Sequence, residues 1–159
     1  LLEWAPPDCT SSIPMSDHPL NIRVIDHVVI RARDPEALMT FYGELLGCAL
    51  EKEQTGIGLY QLRAGVSLID IVAVDGELGR NFPRPPADDA PNMDHFCVQV
   101  EPWDADAILA HLRAHGVEAG EVVRRYGALG YGPSIYVTDP EGNTVELKGP
   151  PAEGSGGHR

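Results

Sequence analysis

Four residues of this 159-residue chain carry side chains that bind divalent cations: His27, Asp70, His95 and Glu146. Two imidazoles and two carboxylates form a donor set for Zn, Ni, Co, Mn or Fe(II). Four protein donors on a six-coordinate ion leave about two positions for water or substrate, as a catalytic centre requires. Any one of the four is weak evidence. A single strand histidine is ordinarily a hydrogen-bonded structural residue, and Asp26 and Asp94 read alone as strand-start caps or pairs. The argument for a metal rests on their joint placement.

That placement depends on strands, in which alternate side chains share a face. Residues 24–31 read as a strand with Val28 and Ile30 on one face and His27, Val29 and Arg31 on the other. Residues 94–100 set Phe96, Val98 and Val100 against His95, Cys97 and Gln99. Residues 66–74 set Ile69 and Ile71 against Leu68, Asp70 and Val72, and 143–148 set Val145 and Leu147 against Thr144, Glu146 and Lys148. The apolar faces are expected on the helices, so each opposite face carries one donor. Two sheets curved toward each other would bring the four donors together.

The donors also sit in an internal repeat. Asp26-His27 and Asp94-His95 are 68 residues apart, and each is followed by an acidic-Pro step, Asp34-Pro35 and Glu101-Pro102. A helical stretch comes next in each half. In the first, Asp34 is the expected N-cap and Pro35 the first helical residue. Leu38, Phe41, Tyr42, Leu45 and Leu46 then recur at helical spacing, and Gly47 ends the run. The second helix spans 104–115. Further strands are expected at 48–53, 58–63, near 120–125 and near 133–138, so each half reads as βαβββ. The fold class is α+β: two such modules, 22–75 and 92–149, forming an open, cupped mixed sheet with helices outside. A Pro/Asp/Gly-rich linker, 76–91, joins them. Residues 1–21 are expected to be a disordered N-terminal segment or a cloning scar, with Met15 a plausible start, and 150–159 a disordered tail.

Composition narrows the function classes. Asp and Glu number 24 against 12 Lys and Arg, a formal charge of −12. An acidic surface without a basic patch argues against nucleic acid and anionic membrane as partners. No apolar run is long enough to span a bilayer. Three scattered cysteines, with no CxxC, give neither a disulfide framework nor a thiolate zinc site. The expected setting is cytoplasmic and the expected partner a small-molecule substrate.

Asp26-His27, Phe41-Tyr42-Gly43-Glu44-Leu45-Leu46-Gly47, Asp94-His95 and the run from Asp139-Pro140-Glu141-Gly142-Asn143 to Leu147 resemble the vicinal oxygen chelate superfamily. This superfamily holds glyoxalase I, methylmalonyl-CoA epimerase, extradiol dioxygenases, fosfomycin-resistance proteins and metal-free bleomycin-binding proteins. The resemblance covers about residues 23–149. It implies two βαβββ modules around a metal, commonly in a homodimer whose sites draw on both chains. It places His27, Asp70, His95 and Glu146 at the four ligand positions. Asp70 departs from the pattern, since the second position is Glu in glyoxalase I enzymes and Gln in the epimerases.

The leading expectation is a metal-dependent, glyoxalase-like lyase or isomerase on a small oxygen-chelating substrate, such as a thiol adduct. A metal-stabilised enediolate would form as Glu146, or Asp70 if off the metal, removes a proton. Arg31, four residues after the first ligand, matches a glutathione-contacting arginine of glyoxalase I; otherwise it is a solvated strand end. Arg124 and Arg125 are further candidates for anionic-substrate contacts, and Tyr136 for a pocket acid or donor. The alternatives are an Fe(II) extradiol dioxygenase, a thiol transferase like the fosfomycin proteins, and a non-catalytic small-molecule (antibiotic) binding protein. Cys97 is expected to be a small buried side chain.

Overall fold

The computed structural model describes residues 24–82, 86–87 and 90–151. Eight strands form two four-stranded mixed sheets. The first module contains β1 (His27–Ala32), α1 (Pro35–Met39), β2 (Ala49–Gln54), β3 (Leu59–Ala64) and β4 (Ser67–Ala73). The second contains β5 (His95–Gln99), α2 (Ala105–Ala114), β6 (Val123–Gly127), β7 (Gly130–Thr138) and β8 (Thr144–Lys148). The strand orders β1-β4-β3-β2 and β5-β8-β7-β6 are equivalent, so the repeat in the sequence is a repeat in the fold. In both, the first strand pairs parallel with the last, and the remaining pairs are antiparallel.

Asp34 caps α1 as expected, its Oδ1 accepting from Ala37 N at 3.1 Å with Pro35 in the first turn. The helix then widens into a π-helical turn over Thr40–Leu45. Leu46 N donates to Phe41 O at 3.1 Å and Cys48 N to Tyr42 O at 2.8 Å. The wider winding turns Phe41, Tyr42 and Leu45 inward together. Gly47 follows with φ +75°, a conformation favourable only to glycine. In the second module, Asp104 caps α2 through Ala107 N at 3.0 Å. The acidic-Pro steps are therefore not equivalent: Asp34 is a cap, whereas Glu101-Pro102 precedes one.

One apolar core serves both modules. Ile30, Leu62, Ile69 and Ile71 of the first sheet join Leu38, Phe41, Tyr42 and Leu45, and reach Leu112, Ile135, Val137, Val145 and Leu147 of the second. The seam between modules is closed by polar groups. Tyr42 OH donates to Asp139 Oδ2 at 2.7 Å, and Asn143 Nδ2 donates to the same oxygen at 2.8 Å. Asp139 Oδ1 accepts from Glu141 N and Asn143 N. Glu141 in turn accepts from Asp34 N at 2.6 Å and pairs with Arg33. The Asp139–Asn143 turn is thus a latch onto α1 as well as a connection. Asn92 bridges the modules too, bonding both backbone groups of Arg31 and the side chain of Asn143.

Within the expected linker, residues 79–81 form a short 3₁₀ turn and Ala87 pairs with Ala90. The expected segment 1–21, and the tail beyond residue 151, lie outside the described residues. Among the described residues no helix is long and apolar enough to cross a membrane.

Candidate functional site

Each sheet turns one face to the shared core; its other, open face is exposed along β1 and β5 and mostly buried along β4 and β8. On the open face of the first lie His27, Asp70 and Gln61, set by the register Val29–Asp70 in β1/β4 and Gln61–Asp70 in β3/β4. On the open face of the second lie His95, Cys97, Glu146 and Tyr136, set by Cys97–Glu146 and Tyr136–Glu146. The alternation read from the sequence therefore assigns all four candidate donors to open faces. The expected convergence is a different matter. Among the described residues no three His, Cys, Asp or Glu side chains gather in a group able to hold a metal. His27 and Asp70 lie on one sheet and His95 and Glu146 on the other, two candidate half-sites.

The second half-site is the more developed. His95 Nδ1 is hydrogen-bonded to Asp94 Oδ1, so its Nε2 is the nitrogen left for a ligand. That Nε2 lies 3.6 Å from Glu146 Oε2. Glu146 is 6% exposed, and its Oε1 is buried without a hydrogen-bond partner. An unpaired buried carboxylate oxygen is costly unless a cation or proton satisfies it. Two donor atoms of the right chemistry, one of them orphaned, fit a divalent metal.

The first half-site repeats half of this arrangement. His27 Nδ1 bonds Asp26 Oδ1 at 2.8 Å, again leaving Nε2. The Asp26 hydrogen bond raises the His27 pKa above its ordinary value, with burial opposing and Asp70 adding to the rise. Asp70, also 6% exposed, differs from Glu146. Gln61 Nε2 stands 3.1 and 3.0 Å from its two oxygens. Gln61 was not among the sequence candidates. The signal existed: Gly65, with φ +61°, opens a two-residue hairpin turn that puts Gln61 opposite Asp70.

The four candidate substrate contacts separate. Tyr136 lies beside the second half-site, its ring edge-on to His95 with centroids 5.4 Å apart. Arg125 covers that ring at 4.2 Å and donates to Ser134 Oγ at 2.6 Å. Arg124 points to the opposite face, where it stacks at 4.8 Å on the exposed Tyr131. Alternation along β6 divides the two arginines, which the sequence reading had grouped. Arg31, on the open face of the first sheet, lies 5.0 Å from the Phe82 ring.

Two further side chains were read differently or missed. Cys97 is exposed, not buried. Partial burial first, and the Glu146 carboxylate second, push its thiol up to about 11. Lys148 is buried and crosses β7 to give Nζ to the carbonyls of Arg125 (2.6 Å) and Gly132 (3.3 Å), tying the edge strand to the sheet.

The paired βαβββ architecture defines a class, and sequence comparison agrees. Residues 24–147 match the family model of the Glyoxalase/Bleomycin resistance protein/Dioxygenase superfamily, and the chain belongs to that family. It is 33% identical over 129 residues to the Glyoxalase domain-containing protein RDO1 of Mycosarcoma maydis, covering 80% of this chain and 69% of that protein. Its fold is similar to the crystal structure of virulence protein STM3117 from Salmonella typhimurium (TM-score 0.69, 25% identity, 82% of this chain and 99% of that one). It also resembles a lactoylglutathione lyase from Agrobacterium tumefaciens (TM-score 0.58, 20% identity, 79% and 92% covered). The family description spans catalysts and binding proteins, so the activity must be argued from the site.

Proposed function

We propose that the chain is a divalent-metal-dependent lyase or isomerase acting on a small substrate with two adjacent oxygens, such as a thiol adduct. Its site would be completed between two copies, the His27 half of one meeting the His95–Glu146 half of the other. The observation that carries this reading is Glu146 Oε1, buried and unpaired beside a histidine whose Nδ1 is already held by Asp94.

A divalent cation held by His27, His95 and Glu146 would polarise the substrate oxygens and acidify the neighbouring C–H. The chain's own part is to orient the substrate and accept the proton. Tyr136 presents a phenol beside His95, and Arg125, stacked on it, offers a cation to an anionic group. Arg31 is the corresponding cation of the first sheet. The buried acids Glu146 and Asp70 are the candidate proton acceptors.

The test is elemental analysis of protein purified without chelators or a metal-affinity tag, comparing wild type with His95→Ala. About one metal per chain, lost in the variant, is the expected result. Ni, Zn or Co would direct assays to lyase and isomerase substrates; iron would favour a dioxygenase acting on catechols. Wild type that stays empty after soaking with divalent cations would overturn the reading in favour of a small-molecule binding module.

A further inference from the structure

The last turn of α2 and its cap carry two histidines that the candidate site does not use, His111 and His115. Residues four apart lie one above the other on a helix face. Both residues are exposed, and their rings meet with centroids 4.4 Å apart and planes inclined at 50°. A backbone carbonyl already fixes each ring at one nitrogen. His111 Nε2 donates to Leu45 O at 2.9 Å, and His115 Nδ1 donates to His111 O at 2.8 Å. A carbonyl only accepts, so in the neutral rings those nitrogens carry the protons. His111 Nδ1 and His115 Nε2 keep their lone pairs. One ring N–H given to a carbonyl, with the other nitrogen unprotonated, is the state in which a histidine binds a metal. Four residues on one helix is also a chelating spacing. Among the described residues no third His, Cys, Asp or Glu joins the pair. One turn earlier on the same face stand Ala107 and Ile108, which carry no donor.

We propose that His111 and His115 form a two-point chelate for a borderline divalent cation, Cu²⁺ held most tightly, with water completing the coordination. The site belongs to α2 and not to the open sheet faces, so it is separate from the candidate centre. Leu45 lies in the π turn of the first module, so the His111 hydrogen bond joins the two modules. A cation on Nδ1 draws electron density from the ring and makes Nε2–H a stronger donor. Loading the chelate therefore braces α2 against that turn.

The test is Cu²⁺ binding to the full chain, followed by calorimetry and by the EPR spectrum of the bound ion, in wild type, His111→Gln, His115→Gln and His95→Ala. Wild type should show Cu²⁺ coupled to two ring nitrogens. Each glutamine variant should lose that signal and bind about tenfold or more weakly at this site. His95→Ala should keep both signal and affinity. Cu²⁺ should raise Tm in wild type and His95→Ala but not in His115→Gln. His115→Gln binding within about threefold of wild type overturns the proposal. So does loss of the signal in His95→Ala, which would assign the ion to the candidate centre, and so does a wild type without a two-nitrogen signal. A two-nitrogen signal with no rise in Tm overturns the brace. His115 makes its hydrogen bond to its own helix, so His115→Gln decides the matter even where His111→Gln does not fold.

Discussion

Replacing Tyr42 by Phe removes one oxygen and leaves a ring that is fully buried, edge-on to Phe41 at 5.1 Å and 6.1 Å from Phe96. The packing survives; the donation to Asp139 Oδ2 at 2.7 Å does not. A hydrogen bond to a charged group is worth about 1.5–3 kcal/mol. For a chain of this length each kcal/mol moves Tm by about 2–4 °C, so Tyr42→Phe should melt roughly 3–12 °C below wild type at pH 7. Alkaline pH supplies a second readout. Burial first, then the Asp139 carboxylate, holds the Tyr42 phenol far above its ordinary range. In the unfolded chain the same phenol ionises near pH 10. Above that pH the folded state retains a proton that the unfolded state has lost. The stabilisation is thus complete below about pH 10 and declines above it, by up to about 1.4 kcal/mol per pH unit. The variant has no such phenol, so the gap between the two proteins should close as pH rises past 10. Thermal melts at pH 7 measure the first effect, and urea denaturation from pH 7 to pH 11 the second. A variant within about 1 °C of wild type at pH 7, with a gap indifferent to pH, would refute the assignment of the latch.

Asp26→Asn and Asp94→Asn each remove the carboxylate that fixes a histidine Nδ1, and should weaken metal affinity by about 10–100-fold in a calorimetric titration. Asp26→Asn should also lower the pH at which the His27 imidazole loses its proton in an NMR titration, because the Asp26 hydrogen bond leads the upward shift. Cys97, raised to about 11 from an ordinary 9.0, should have about a hundredth of the usual thiolate at pH 8. Higher nucleophilicity recovers part of this, so iodoacetamide should alkylate it about tenfold more slowly than an unhindered cysteine. Gly132→Ala sets a Cβ 2.6–2.7 Å from the Pro150 and Gly149 carbonyl oxygens, backbone atoms that no side-chain rotation moves away. Gly132→Ala should therefore lose about 1–3 kcal/mol of stability in urea denaturation.

Periodicity within single elements was legible in the sequence because it is local. The expected strands 48–53, 58–63 and 66–74 fall within a residue of β2, β3 and β4, and 104–115 brackets α2. Strand alternation also assigned His27, Asp70, His95 and Glu146 to open faces. The expected 120–125 strand begins three residues later, at Val123, and β7 starts three residues earlier than expected, at Gly130. Those glycine-rich edges are held by long-range contacts that a local pattern does not contain. The Lys148 Nζ bonds to Arg125 O and Gly132 O are one such contact. The π turn was hidden for a related reason. Phe41-Tyr42 and Leu45-Leu46 satisfy a helical stripe at either winding, and the choice is made by the shared core that takes in Phe41, Tyr42 and Leu45.

The site was less legible than the faces because ligation depends on what each side chain already bonds. At the level of residue type Asp70 and Glu146 are equivalent acids, one on each sheet. Gln61 breaks that equivalence, and it does so through a cross-strand register rather than a motif. The same holds for Arg124 and Arg125: adjacent in sequence and alike in charge, they are separated by the two-residue period of β6, one onto Tyr136 and the other onto Tyr131. Convergence of the donors was a third inference of this kind, and it required the relative placement of two sheets. Each module positions its own pair by local register, but bringing the pairs together is a property of the surfaces that meet. On the proposed reading, Glu146 Oε1 and His95 Nε2 would be offered to a cation that a second set of donors completes. The chemistry would then depend on assembly, with protomer concentration setting metal affinity and activity together.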